Sequence, residues 1–432
     1  MATITDLNST DNGSISRGVI NTNFDNLNTD LITAQGNITT IKGNITNVQS
    51  DITALELSKI EVFNVKSYGA VGDGTTDDTV AVNLAISAIT TAGGAGILYF
   101  PTGIYRLTSA LSFVDSGATK SQVSIYGDGQ SQTELKFDAN VNGIVIDNSN
   151  VGAGVNCTYT LRDFSVTTTQ TSADKTGISY TGVDEQGNGL SMERVTVRGS
   201  GTAPVTTYWK HCVALTTAFY VDIRNCWFQG VPSDRTLCSS GIRFLSTGAN
   251  ARLVGNSYYF LNVGVSNTTG QAYESLYISD SQFVQCSYGV YWGADGNHLV
   301  VEGCHMEVSN GGVSTINGND DYGRFCSISN NFILITGSIA DKKGFYINSN
   351  FCAITGNTVM VAGDATNASH GIILAPYAKY CVVSGNIFFN CTTTGILIQA
   401  GATSNKVIGN AGTSNGTDLT DGGITTTTSG NF

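Results

Sequence analysis

The sequence predicts an all-β chain, a solenoid of stacked parallel strands (a parallel β-helix), preceded by a long amphipathic helix. Three observations predict it. From residue 160 onward one short strand–bend–strand pattern returns at intervals of 23 to 31 residues. The composition holds 51 Gly, only 4 Pro and 12% charged residues, about half the charged share of ~25% usual in soluble domains, which suits short strands and tight turns. Between Phe24 and Leu55 the apolar residues recur in strict steps of three and four.

The repeat is read by aligning ten segments on their first apolar residue: Leu161, Met192, Ile223, Val254, Ile278, Val301, Ile328, Ile354, Val383 and Ile408. A period of this size means a repeat array, and a propeller blade would need about 40 residues. Two places after the anchor stand Asp163, Arg194, Asn225, Asn256, Asp280, Gly303 and Asn330. Most are Asn, Asp or Gly, which tolerate the left-handed backbone of a sharp bend. Five places after it come Val166, Val197, Phe228, Tyr259, Phe283, Met306 and Ile333. That column is apolar throughout and is expected to stack inward, with coils about 4.8 Å apart.

The N-terminal stripe is a heptad pattern. Phe24, Leu31, Ile38, Ile45 and Ile52 occupy a, and Leu27, Ala34, Ile41, Val48 and Leu55 occupy d. Isoleucine at both positions favours three or four strands over two, so residues 24–59 are expected to form a trimeric coiled coil. Gly36 and Gly43 oppose it by about 1 kcal/mol each, and the Asn and Gln at e and g add little charge pairing.

A solenoid exposes its apolar interior at each end and needs a cap. The stretch "KSYGAVGDGTTDD" leads into one: Thr76 or Asp77 can cap a helix near residues 77–90, with Asp77 and Asp78 at its positive end. Val80, Leu84 and Ala88, with Ala81 and Ala85, form its expected apolar face. After "GGAG" come two strands, "ILYF" and "IYRL", joined by Pro101-Thr102-Gly103. The glycines do not give a phosphate loop, which would end in Lys-Ser/Thr, nor G-x-G-x-x-G. The aspartates lack the spacing of a calcium loop.

"FNVKSYGAVGDGTTDDTVAVNLAISAI" followed by "GGAGILYFPTGIYRL" resembles the opening of pectate-lyase-like β-helix proteins, particularly phage tailspikes and related polysaccharide depolymerases. "SISRGVINTNFDNLNTDL" likewise resembles virion-proximal parts of phage tail proteins. The resemblance implies a right-handed β-helix in which this opening is a capping helix and first coil. It also implies a homotrimer that binds bacterial surface polysaccharide and often cleaves it, attached through residues 1–23 to a phage tail or portal-adaptor protein. The expected layout is then residues 1–23 for virion attachment, 24–59 for the stalk, 60–408 for the β-helix, and 409–432 for closing the last coil or packing threefold. Such a protein would be assembled in the host cytoplasm, carried on the virion tail, and act at the bacterial surface.

The bulk properties narrow the partners. A formal net charge of −12 argues against nucleic acid, which wants a basic face, and no apolar run approaches the ~18 residues of a membrane span. The start of the chain lacks the basic and apolar regions of a signal peptide. The ten cysteines are dispersed without a C-x-x-C pair or a zinc-like Cys–His spacing. They read as small buried hydrophobes, and no cofactor or metal is expected.

Candidate site residues come from the outward columns. Four places after the anchors stand Ser165, Thr196, Trp227, Tyr258, Gln282, His305 and Phe332; two further on come Thr167, Arg198, Gln229, Phe260, Val284, Glu307 and Leu334. Trp227 and Tyr258 offer flat faces on which sugars stack, as does Trp292 in "YWGADGNH", which also carries Asp295 and His298; Arg224 is a candidate binding cation. In "VEGCHMEV", Glu307 could act as the acid of a glycosidase beside His305, with Asp280 or Glu302 as its carboxylate partner; such pairs stand either about 5 Å or about 6.5–9.5 Å apart. "GNDDYGR" adds Asp320, Asp321 and Arg324. The same face could instead be the surface on which protomers pack, since Phe332 and Leu334 lie on it. A lyase would need a base and cations to neutralise a uronate, and His305 with Arg198 or Arg224 is one such set. The acidic chain leans toward hydrolysis, or simple binding, of a neutral or weakly charged glycan. A receptor-binding spike without turnover is the alternative to the enzyme.

Overall fold

The computed structural model describes residues 13–58, 61–117, 121–151, 157–171, 174–183, 189–201, 206–267, 273–293, 297–316, 325–337, 341–362 and 367–432. The chain divides into two units, Met1–Ile60 and Glu61–Phe432.

In the first unit, Gly13–Ser58 is one continuous helix. Its many threonines fit because their hydroxyls donate to carbonyls four residues back, as Thr29 does to Asp25 at 2.8 Å and Thr33 to Thr29 at 2.9 Å. The a residues Phe24, Leu31, Ile38 and Ile45 are 52–67% exposed in the single chain. Among the described residues, nothing in one chain covers the stripe.

The second unit is the parallel β-solenoid. Its period-2 strands turn alternate residues inward, and three inward columns run along it, one for each parallel ladder. The first is Leu161–Met192–Ile223–Leu253–Ile278–Val301–Ile328–Ile354–Val383–Val407. The second is Val166–Val197–Phe228–Tyr258–Phe283–Met306–Ile333–Val359–Phe388. The third passes through Ile178, Val213, Ile242, Val265, Val290, Val313, Phe345, Ile372 and Ile396. These residues are buried and form one contiguous core.

Two anchors differ from the sequence reading by one residue: Leu253, not Val254, and Val407, not Ile408, face inward. Each is an adjacent apolar pair, so apolarity alone does not choose between them, and a one-residue slip exchanges the two faces of a strand. The slip moves the bend from Asn256 to Gly255 (φ 66°) and the inward aromatic from Tyr259 to Tyr258.

The bend between the first and second ladders is left-handed in every aligned coil: Asp163, Arg194, Asn225, Asp280 and Asn330 have φ of 51–65°, and Gly255, Gly303, Gly356, Gly385 and Gly409 fill the remaining five. One residue further on, Asn256, Asn331, Asn357, Asn386 and Asn410 are buried. Their carboxamides satisfy the backbone that each bend leaves unpaired, for example Asn331 Nδ2 donating to Val301 O at 3.0 Å while its Oδ1 accepts from Cys304 N at 2.9 Å.

Helix Thr79–Thr91 lies at the start of the solenoid. Its buried apolar residues are Ala81, Val82, Ala85 and Ile89, whereas Val80 and Leu84 are exposed; the apolar face is therefore turned from the expected one. Asp78 is the N-cap residue, but its carboxylate accepts from Val71 N and Gly72 N at 2.6 and 3.1 Å. The aspartates of the opening stretch thus tie the chain to itself. Asp73 Oδ1 accepts from Thr75 N and Thr76 N, and these bonds hold its carboxyl well below the usual range. At the other end, residues 409–432 continue the three ladders as Ala411–Thr413, Thr417–Asp421 and Thr427–Ser429. All ten cysteines are buried and free.

Candidate functional site

The outward face of the second ladder carries two side-chain columns. One runs Glu134, Ser165, Thr196, Trp227, Ser257, Gln282, His305, Phe332; the other runs Lys136, Thr167, Arg198, Gln229, Tyr259, Val284, Glu307, Leu334. The strand registers fix these neighbours, about 4.8 Å apart along the solenoid.

At the N-terminal half of this face is a groove of about 570 Å³ lined by Gln130, Gln132, Glu134, Arg198, Trp227 and Gln229. Trp227 forms its end wall, 45% exposed, with its ring tilted on that of Tyr259 at 5.2 Å. Thr167 Oγ1 donates to Glu134 Oε1 at 2.6 Å. Arg198 Nη1 donates to the carbonyls of Gly199 and Gly201 at 3.0 and 2.8 Å. Amides, a guanidinium and a carboxylate around one indole face can hydrogen-bond sugar hydroxyls and stack a pyranose. Gln130, Gln132 and Glu134 escaped the sequence reading because they precede the array that starts at Leu161; extending the column one coil back would have reached Glu134.

The structure splits the sequence-predicted quartet in two. His305 and Glu307 lie on the second-ladder face, His305 with its ring stacked on Phe332 at 5.2 Å, and Glu307 between Val284 and Leu334. Glu302 ends a strand of the first ladder and accepts from Tyr277 Oη at 3.5 Å. Asp280 occupies the bend (φ 51°), its backbone N–H donating to Glu302 O at 3.1 Å, with its Oδ1 beside Gly303. The bend at Gly303–Cys304 thus turns Glu302 onto a different face from Glu307.

Two predicted sugar platforms are corrected. Tyr258 is 0% exposed, sandwiched between Phe228 at 5.3 Å and Phe283 at 4.5 Å, and burial pushes its phenol well above the usual range. Trp292 is 1% exposed, packed edge-on to Phe244 and Tyr273. Neither presents a face to a ligand. Tyr259, one residue along, is the outward ring. Arg224 faces out but is held by Asp222, whose Oδ1 and Oδ2 accept from its Nε and Nη2 at 2.7 and 2.6 Å. Asp295, Asp320, Asp321 and Arg324 lie outside the described residues. Among the described residues no group of three His, Cys, Asp or Glu is placed to hold a metal ion.

Residues 62–314 match the model of the rhamnogalacturonase A/epimerase, pectate lyase-like family. The chain belongs to that family. The matched part runs from the first strand of the solenoid through the coil that bears His305 and Glu307. Among curated proteins, mannuronan C5-epimerase AlgE2 of Azotobacter vinelandii is 44% identical over 88 residues, 19% of this chain. The match spans only 9% of that relative's length. Among solved structures, the N-terminal fragment of bacteriophage Phi29 gene product 12 aligns with a TM-score of 0.60 at 12% identity, covering 88% of this chain and 68% of that one. The Dettilon tailspike protein aligns with a TM-score of 0.51 at 16% identity, covering 84% and 68%. At these identities the two phage structures speak to the shared fold.

Proposed function

We propose that the protein is a phage tailspike, a homotrimeric receptor-binding protein that recognises and cleaves a bacterial surface polysaccharide along the outward face of the second ladder. The observation that carries this reading is the pairing of a pectate-lyase-like solenoid with a heptad helix whose described apolar stripe is exposed in the single chain. Three such helices bury that stripe against one another. The chain's relatives include proteins named for acting on mannuronan, and its structural neighbours include a tailspike. The N-terminal residues would dock on the phage tail and the solenoid would meet the glycan.

The groove from Glu134 to Gln229 would hold the polymer, with Trp227 stacking a sugar ring. Glu307 would supply the proton to the leaving oxygen, His305 would stand beside it, and Asp280 or Glu302 would be the partner carboxylate, reached around the bend. Hydrolysis is the reading kept for the reaction. The setting of Glu307 between Val284 and Leu334, with Glu302 on the first ladder and Asp280 at the bend, favours a second reading: a spike that binds without turnover.

The test is size-exclusion profiling of capsular and O-chain polysaccharides after incubation with the full chain, with ultraviolet absorbance recorded for unsaturated uronates. A shortened polymer without new absorbance supports the hydrolase, and one with absorbance moves the reaction to a lyase. An intact polymer that co-elutes with the protein leaves the binding spike. Glu307→Gln is expected to abolish shortening while the polymer still co-elutes; full activity in that variant sinks the site assignment.

A further inference from the structure

The corner that leads into the first ladder differs from the bend described above. It too is left-handed, at Tyr220, Asn250, Ser275, His298, Phe351, Tyr380, Ser404 and Thr425 (φ 53–60°). Asn and Ser suit that backbone, but bulky side chains rarely adopt it. The aromatic residues here are also turned to solvent: Tyr220, Phe351 and Tyr380 are 42–57% exposed. Strain retained at exposed rings asks for a reason outside local folding.

From His298 onward the rings stack on one another. His298–Phe325, Phe325–Phe351 and Phe351–Tyr380 have centroids 5.4, 5.5 and 5.2 Å apart with interplanar angles of 15°, 29° and 13°, so the column supports itself. Tyr220 is different. The small residues Asn250 and Ser275 separate it from His298, and Gly189 stands on its other side. The interruption leaves an open cleft of about 710 Å³ between Tyr220 and His298. Three coil spacings separate the two walls, about 14 Å, room for a pyranose unit.

The cleft floor carries Arg252 and, one coil before it, Asp222. Arg252 lies over the Tyr277 ring at 5.6 Å. Its register neighbour Asp222 has both carboxylate oxygens engaged by Arg224, so among the described residues Arg252 has no carboxylate partner. A guanidinium presents a planar fork that matches a carboxylate.

We propose that this cleft is a second glycan site, one that takes an acidic sugar unit: the pyranose ring between Tyr220 and His298, its carboxylate on Arg252. The site lies on the first-ladder face, away from Trp227 and Glu307. It extends the glycan-binding reading to a different unit of the polymer and needs no catalysis.

The experiment is saturation-transfer NMR on the full chain with methyl β-D-glucuronide and methyl β-D-glucoside as probes, alongside thermal melting and light scattering. The wild type should transfer more strongly to the glucuronide. Tyr220→Asn, which suits the left-handed backbone, should cut that signal at least about fivefold while the melting temperature holds or rises. Arg252→Gln should bring the glucuronide down to the glucoside level. Undiminished transfer in Tyr220→Asn, no transfer to either probe in the wild type, or loss in Trp227→Ala but not in Tyr220→Asn each overturns the assignment. A lower assembled mass in Tyr220→Asn would also overturn it, and would make the cleft a subunit contact instead.

Discussion

Asn357 Oδ1 accepts two hydrogen bonds from Asn331, one from its side-chain Nδ2 and one from its backbone N–H, both at 2.9 Å. The same paired contact links Asn357 to Asn386, Asn386 to Asn410 and Asn410 to Asn431. The ladder ties each bend to the next through groups that are buried up to Asn410 and half-buried at Asn431.

Asn357→Ala should therefore cost more than one bond. It orphans Asn331 N and the carbonyl of Ile328, which accepts from Asn357 Nδ2 at 2.9 Å, and a buried unpaired group costs about 1–3 kcal/mol. A loss of about 3 kcal/mol is expected, measured as a lower urea midpoint. An unchanged midpoint would mean that water replaces the carboxamide.

Tyr258 and Trp227, which share one sequence column, should respond differently to truncation because one is buried and the other exposed. Tyr258→Ala opens a cavity between two stacked rings and should destabilise the fold by about 3–5 kcal/mol. Trp227→Ala loses only an exposed tilted pair, about 1 kcal/mol, but should weaken polymer binding roughly tenfold. Urea titration and a polysaccharide co-sedimentation assay on both variants check the contrast.

The bends were legible because their residue types answer a backbone demand: Asn225, Asp280 and Asn330 stand where φ is positive. The inward columns were legible wherever a polar residue flanks the apolar one. They were not where Leu253 meets Val254, because only strand pairing decides which of two apolar neighbours turns in. That one slip put Tyr258 outside and hid Tyr259. Trp292 lay beside "GADGNH", which reads as a loop, but the strand Gln282–Trp292 carries it into the core. Glu134 and the cleft at Tyr220 depend on neighbours 30 or more residues away in sequence, set by coil lengths that vary.

The heptad helix makes a prediction about mass. Light scattering of the full chain should give about 136 kDa, three times the 45.3 kDa of one chain. Ile38→Asn with Ile45→Asn places two polar groups at successive a positions of each helix and should lower that mass. A wild type of 45 kDa would remove the trimer from the proposal.

His211 gives the clearest dependence on pH. Burial, with Arg243 and Lys210 nearby, lowers it from 6.5 to about 4; its Nδ1 lies 2.7 Å from Ser240 Oγ. Below pH 6.5 the unfolded chain takes up a proton that the folded chain refuses until about pH 4. Stability is therefore full above pH 6.5 and falls between 6.5 and 4, by about 3 kcal/mol at ~1.4 kcal/mol per pH unit. Carboxylates such as Asp163, lowered by its bonds to Arg194 and Arg162, lose their own contribution at lower pH and are common to both proteins compared. Urea midpoints at pH 7.5 and 4.5 should show a smaller drop for His211→Asn than for the wild type. Equal drops would mean that the imidazole takes up its proton in the folded chain as readily as in the unfolded one.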